Sequence, residues 1–225
     1  MIRIFIGFDS KLPALFHVFS HSIHRRASLP VSITPLIQSQ LKNVYWRQPN
    51  GLESTEFSFS RFLTPHLSNY EGWSIFADND IIARDDIAKL WALRDDRYAV
   101  MVIKHQYQPK EENKFLNTVQ TKYEKKNWSS VILFNNAKCR ALTPEYVNSA
   151  SGLELHQFKW LDSEEQIGSL PSEWNHLVGY DEYDFEAKMV HFTSGGPYFN
   201  EYRDCNYSDE WFSEREEMLK VKQIG

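Results

Sequence analysis

Cysteine is scarce in this chain. Cys139 and Cys205 are the two present among 225 residues, and they fit no metal-ligand or redox spacing. One disulfide is a possible reading, and two buried thiols is the favoured one. Long apolar runs are missing too: nothing approaches the roughly 20 residues a spanning helix needs. The opening run Ile2–Gly7 is too short for a secretory signal and reads as a strand, which points to a cytoplasmic protein. Positive charge is not in excess. The net charge of −5 gives no broad attraction to nucleic acid, and Lys122, Lys125 and Lys126 read as a solvated face. Internal repeats, low-complexity tracts and obvious linkers are also lacking. A single domain over residues 1–225 is therefore expected, with a helical tail from about residue 207.

The length is ample for a real core. Hydrophobic residues make up 42% and charged residues 24% of the chain, ordinary values for a globular protein. Aromatics are plentiful at 15% and read mainly as core bulk, Trp128, Trp160 and Trp174 included, with stacking on sugar rings as the alternative. Apolar runs at 2–8, 30–37, 73–77, 98–104, 131–135, 174–179 and 189–192 predict strands. Leu15, Val18, Phe19, Ser22 and Ile23 form a stripe that predicts a helix over 13–26. Further helices are predicted over 56–67, over 87–93 behind a capping aspartate, in part of 143–167, and over 209–222. Residues 38–55 read as a loop and 106–126 as a polar insertion or lid. Strands alternating with helices predict an α/β fold with a mostly parallel mixed sheet flanked by helices. Ligands of such sheets bind beyond the carboxyl ends of the strands.

Asp78-Asn79-Asp80 stands at such an end, directly after Trp73–Ala77. Buried charge is costly unless it is paired or binds a cation. Residues two apart on an extended chain point the same way, so Asp78 and Asp80 can share one divalent cation. The other reading is a turn in which Asp78 bonds nearby amides. A second element is His191-Phe192-Thr193-Ser194-Gly195-Gly196-Pro197-Tyr198. Its histidine can be a third ligand, and Gly195 and Gly196 would let backbone amides approach phosphate oxygens. The alternative is a satisfied core histidine before a tight turn. Two carboxylates and one imidazole suit Mn²⁺ or Mg²⁺.

These motifs, in this order, resemble glycosyltransferases of the GT-A fold, most closely family-8-type enzymes, over nearly the whole chain. The resemblance implies a Rossmann-like GT-A domain. It implies that Phe8, Asp9 and Ser10 meet the nucleotide base, that Arg61 of Phe59–Leu67 meets the nucleotide sugar, and that Asp78, Asn79 and Asp80 hold the metal and the donor. It places Ser130 beside the donor sugar. It makes Asp162, Glu164, Glu165 and Gln166, ahead of Trp174-Asn175, the catalytic candidates on the donor-sugar or acceptor side. One departure stands out. Such enzymes carry a diphosphate-binding lysine just before the terminal Pro-aromatic pair, where this chain has Gly196. Gly195 and Gly196 amides, Lys188 or Lys104 are the expected substitutes.

The function so implied is transfer of a sugar from a nucleotide-diphosphate donor, a UDP-sugar in the first instance, to a hydroxyl of a glycan, lipid-linked or protein acceptor. Asp9 favours uracil by accepting its imide N–H, or else caps the following helix. An inverting reaction would need a carboxylate base, whereas a retaining one can return the proton to the leaving phosphate. The aromatic tail, Tyr207 to Phe212, leaves open a peripheral contact with the inner membrane surface. The competing readings are a nucleotide-sugar-binding protein without turnover, a sugar-phosphate nucleotidyltransferase and a phosphatase. The second lacks its Gly-rich loop after the first strand, where Gly7 is followed by Phe8-Asp9-Ser10-Lys11.

Overall fold

Burial on both faces is what the first strand demands. In the computed structural model, which describes residues 1–48, 53–106 and 124–220, Ile2, Ile4, Phe5 and Ile6 are all buried. They lie in β1 (Ile2–Gly7), and a continuous apolar run of this kind fits an inner strand covered on both sides. It pairs in parallel with β2 (Val31–Leu36) and with β3 (Trp73–Ala77). Beyond β3 come β6 (Val131–Asn135), β5 (Val100–Val102) and β7 (Ile167–Ser169). The sheet is six-stranded, in the order β2-β1-β3-β6-β5-β7. β6 runs antiparallel to both of its neighbours, and the other pairs are parallel. The mostly parallel mixed sheet predicted from the sequence is therefore present.

Alternation along the strands divides the core in two. Ile4, Ile6, Ile75, Ala77 and Leu133 face α1 (Pro13–Arg26) and α3 (Ile87–Ala92), meeting Phe19, Ile23 and Leu90. The predicted stripe of α1 is the buried set of that helix. Asp86 caps α3 by accepting the Ala88 N–H. Phe5, Phe76, Ile132 and Phe134 face the opposite way, toward α4 (Pro144–Ser149) and α5 (Gly152–His156). A second, three-stranded sheet packs on the α1 side, in the order β4 (Ile81–Ala83), β9 (Met189–His191), β8 (His176–Leu177). The closing helix α6 (Ser208–Leu219) lies against α1, where buried Glu214 meets His21 and Arg26 at 2.5 and 2.8 Å.

Several expectations are corrected. The helix over 56–67 is a turn, a 3-10 segment at Ser60–Leu63 and a one-turn α2 (Thr64–Leu67), with Pro65 inside the first turn. The stretch over 143–167 does hold two short helices, α4 and α5, but its last residue opens the unpredicted strand β7, where Gly168 leaves room for the Tyr98 and Met101 side chains. The strand over 174–179 shrinks to His176–Leu177. Both cysteines are free thiols, Cys139 buried and Cys205 half-buried. Most of the polar insertion, together with Lys122 and the turn around Asn50, lies outside the described residues. Among those residues no helix is long and apolar enough to cross a membrane.

His156 ends α5 between Phe59 and Phe62, with ring centroids 5.9 and 5.3 Å away and Ser129 Oγ 2.7 Å from its Nδ1. Burial, with Arg61 and Arg47 nearby, pulls its pKa down to about 3. The folded value lies below the unfolded one, so the unfolded chain binds the extra proton. Stability is then complete above about pH 6.5 and is lost as pH falls toward the folded value. Urea unfolding should show stability declining from pH 6.5 to 4, by up to about 1.4 kcal/mol per pH unit for this group. The decline should be shallower in His156→Gln. An equal slope in the two proteins would refute the assignment.

Candidate metal centre

Between Asp78 and Asp80 the chain leaves one sheet and enters the other. The Asp78 N–H bonds Ser130 O at 2.8 Å, extending the β3–β6 ladder. Asp80 O accepts the Phe192 N–H at 2.9 Å, opening the β4–β9 ladder. Ile81 is paired with His191. The register therefore delivers His191 beside Asp80. His191 Nε2 lies 3.2 Å from Asp80 Oδ1 and 4.0 Å from Asp78 Oδ2. One potential ligand atom from each of the three residues falls within 4.8 Å of the others.

Buried partners hold Asp78 and His191. Arg61, with 7% of its side chain exposed, lies 2.7 Å from Asp78 Oδ1. The same Nη1 also donates to Ser129 O, and Nε donates to Ser58 O. The guanidinium lies 5.0 Å over the Phe76 ring and 5.4 Å over that of Phe57. Asn175 is fully buried, and its Oδ1 is 3.0 Å from His191 Nδ1. Its Nδ2 donates to Ser130 Oγ at 2.8 Å and faces His105 Nε2 at 3.0 Å. The Ser130 hydroxyl gives its proton to Asn127 O, so it accepts from Asn175. Burial pulls the His105 pKa down to about 4, which leaves that ring a neutral acceptor at pH 7. The amide is thereby oriented by its partners. Its oxygen accepts from His191 Nδ1–H, and the His191 Nε2 lone pair faces the two carboxylates. A second-shell amide of this kind sets the tautomer of a metal-binding histidine. Oxygen and imidazole acceptors converging on one point suit a hard divalent cation.

Beside this centre lies a cleft of about 50 Å³, lined by Asp9, Lys11, Ser54, Thr55, Asn79, Asp80 and Tyr198 over Leu12 and Leu15. It gathers Asp9, Asn79 and Asp80 from the predicted set. Asp9 does not cap α1, whose N-terminal flank is Leu12 without a side-chain cap. Its Oδ1 accepts the Lys11 N–H at 2.9 Å. Ser10 is bonded through its hydroxyl to Glu56, and Phe8 meets Phe16 edge-on at 5.8 Å. Ser130 is buried in the Asn175 network rather than open to the cleft.

The glycine turn is built differently from the expectation. Gly195 donates its N–H to Phe192 O at 2.9 Å, so that amide is spent inside the protein. Its φ of +124° and the Tyr202 ring, 2.6 Å from where a Cβ would sit, explain why glycine stands there. Gly196 lies under the Tyr198 ring. Neither predicted substitute lysine turns inward: Lys104 Nζ bonds Ile167 O at 2.8 Å, and Lys188 Nζ pairs with Glu173 at 3.2 Å. Lys11 lines the cleft instead, and sequence reasoning missed it because a lysine in a polar loop carries no periodic signal.

Asp162, Glu164 and Glu165 are exposed and Gln166 is half-buried, and none of the four lines the cleft. Glu164 pairs with Lys125 at 2.5 Å, and that contact lowers its pKa and weakens it as a base. Gln166 O accepts the Ala99 N–H, which fixes the segment at the start of the edge strand β7. The cause is topological: the residues after Gln166 join the sheet at once, and the short segment follows them to its edge. Trp160 and Trp174 are core residues.

No protein-family model matches the chain. Protein CDI of Arabidopsis thaliana is 50% identical over 227 residues, covering 97% of this chain and 87% of its own length. Among solved structures, the WbbM bifunctional glycosyltransferase superposes with a TM-score of 0.66 at 15% identity. That match covers 99% of this chain and 52% of WbbM, so the chain spans about half of that protein. GlyE of Streptococcus pneumoniae TIGR4 gives 0.64 at 14% identity, covering 98% of this chain and 60% of GlyE. The galactosyltransferase LgtC, in complex with donor and acceptor sugar analogs, gives 0.57 at 12% identity, covering 99% and 98% of the two chains. At these identities the likeness is one of fold, and the fold is that of the GT-A glycosyltransferases.

The Arg61–Asp78 pair yields a direct test. Removing one partner of a buried ion pair leaves an uncompensated charge, at a cost of roughly 3–5 kcal/mol. Arg61→Met should lose stability on that scale in urea denaturation. Asp78→Asn added to Arg61→Met should recover part of it. Purely additive losses would show that the pair is not coupled.

Proposed function

The chain belongs to the family of Protein CDI of Arabidopsis thaliana, and we propose that it is a metal-dependent glycosyltransferase that moves a sugar from a nucleotide-diphosphate donor, a UDP-sugar first, to a hydroxyl of a glycan acceptor. The convergence of Asp78, Asp80 and His191 at the edge of a cleft, with Asn175 orienting the imidazole, carries this reading. The GT-A fold supports it.

Mn²⁺ or Mg²⁺ fits this donor set and, when bound, would stabilise the charge that builds on the leaving diphosphate. Asp78 and Asp80 supply the oxygen ligands and His191 Nε2 the nitrogen. Arg61 offsets the charge of Asp78 from behind and fixes its rotamer, so the carboxylate costs little reorganisation when the ligand arrives. Asn175 keeps the proton of His191 on Nδ1. In this reading Asp9, buried in the cleft lining, accepts from the base, and Asn79 donates to the donor.

The catalytic candidates bear on stereochemistry. Asp162, Glu164, Glu165 and Gln166 lie outside the cleft, and Glu164 is already paired. The cleft's own carboxylates, Asp9 and Asp80, are engaged with Lys11 N–H and His191. A route that needs no dedicated base therefore suits the site, with the leaving phosphate taking the acceptor proton, and such a route goes with retention of configuration. Binding without turnover is the second reading, favoured because no carboxylate among the described residues of the cleft is free to act as a base.

Calorimetry and a nucleotide-sugar screen test the proposal together. Thermal stabilisation by a nucleotide sugar should require Mn²⁺. Asp80→Ala should abolish Mn²⁺-dependent donor binding while the circular dichroism spectrum persists. Asn175→Ala should weaken Mn²⁺ roughly 10–100-fold, the range seen for outer-shell partners. Donor binding by Asp80→Ala at wild-type strength would sink the metal assignment. Mn²⁺-dependent donor hydrolysis or transfer by the purified protein separates the enzyme from the binding protein.

A further inference from the structure

The cleft has two chemically distinct sides. Asp80, with Asp78 and His191 behind it, is the cation-holding side. The remaining polar residues are Lys11, Asn79, Ser54, Thr55 and Tyr198, all able to donate, and Asp9, whose carboxylate already accepts the Lys11 N–H. Among the described residues lining the cleft, Lys11 alone carries positive charge. Asn79 is 3% exposed, and its Nδ2 makes no hydrogen bond among the described residues. A buried amide donor left without a partner is costly, and here it borders an open cleft. A ligand oxygen is the partner it fits.

The backbone that presents these donors is pinned. Asp9 Oδ1 accepts the Lys11 N–H, and Asp9 O accepts the Leu12 N–H at 3.1 Å. Ser10 is tied to Glu56 through both its amide and its hydroxyl. Tyr198 is seated on Trp211 of α6 at 5.4 Å, with Gly196 beneath its ring. Among the described residues, Lys104 is committed to Ile167 O, Lys125 to Glu164 and Lys188 to Glu173.

We propose that Lys11, with Asn79 and Tyr198, is the phosphate-gripping side of the cleft, so that the β1–α1 loop supplies the charge for which the glycine turn has no lysine. The inference rests on the nucleotide-sugar reading for the identity of the ligand and on the cleft alone for its chemistry. A diphosphate bound to a divalent cation would meet carboxylates and imidazole through the metal and the three donors through its own oxygens. Lys11 then sets affinity for the diphosphate and not for the metal.

Inorganic pyrophosphate with Mn²⁺ is the probe, read by calorimetry on wild type, Lys11→Ala, Lys11→Arg and Tyr198→Phe, with UDP run in parallel. Lys11→Ala should weaken pyrophosphate roughly tenfold or more, the scale of one charge-assisted contact. Lys11→Arg should lose far less, Tyr198→Phe should lose a smaller factor than Lys11→Ala, and Mn²⁺ alone should bind Lys11→Ala undiminished. Equal pyrophosphate affinity in wild type and Lys11→Ala overturns the assignment, as does a loss that extends to Mn²⁺ alone. Lys11-dependent pyrophosphate binding without UDP binding keeps the phosphate grip and removes the nucleotide reading. UDP binding that ignores Lys11→Ala does the reverse, and binding of neither probe by wild type overturns both.

Discussion

The short link from Ala77 to Ile81 is shared by two sheets, and that constraint sets the site. One backbone bond, Asp78 N–H to Ser130 O, ends the large sheet, and another, Phe192 N–H to Asp80 O, begins the small one. Strand pairing fixes register to a single residue, because a slip by one turns every side chain to the other face. Ile82 and Val190 are buried in the same cluster, so the β4–β9 register cannot shift without exposing them. His191 is thus held next to Asp80 by hydrophobic burial of the adjacent pair in the ladder. The polar centre inherits its precision from an apolar interface.

Charge is managed in layers around that link. Asp78 is backed by Arg61, which is itself buried among Phe57, Phe76 and backbone carbonyls. His191 is backed by Asn175, Ser130 and His105. These groups are inaccessible and mutually oriented, which is the condition for electrostatic preorganisation. The outer layer differs: Lys11 is an exposed residue of the loop that lines the cleft, where its charge can meet a ligand without full desolvation. An inner shell that fixes geometry and an outer rim that meets an anion suit a ligand joining a metal to a phosphate.

Most of the scaffold was legible in the chain. The stripe of α1, the apolar runs of β1, β3 and β6, and Asp86 as a cap follow from periodicity and local hydrogen bonding, which depend on near neighbours. The structure departs from those expectations where long-range contacts decide. Residues 56–67 have helical spacing but turn early to deliver Arg61 to Asp78. Ile167–Ser169 looks nondescript and becomes a strand because β5 offers an edge. Gly195 looks free to bind phosphate, yet Phe192 O takes its amide. Asp162, Glu164, Glu165 and Gln166 form an inviting acidic segment, yet β7 and Lys125 hold them away from the cleft lining.

By itself, the sequence determined the fold class, the strand-end position of Asp78 and Asp80, and the candidacy of His191 as their partner, since these rest on residue type, order and local spacing. Tertiary structure decided the rest: that Asn175 orients His191, that Arg61 is spent on Asp78, and that Lys11 rather than Lys104 or Lys188 lines the cleft. Each of those outcomes turns on which distant group reaches a given atom first. That is set by register and packing across the two sheets, and no local pattern encodes it.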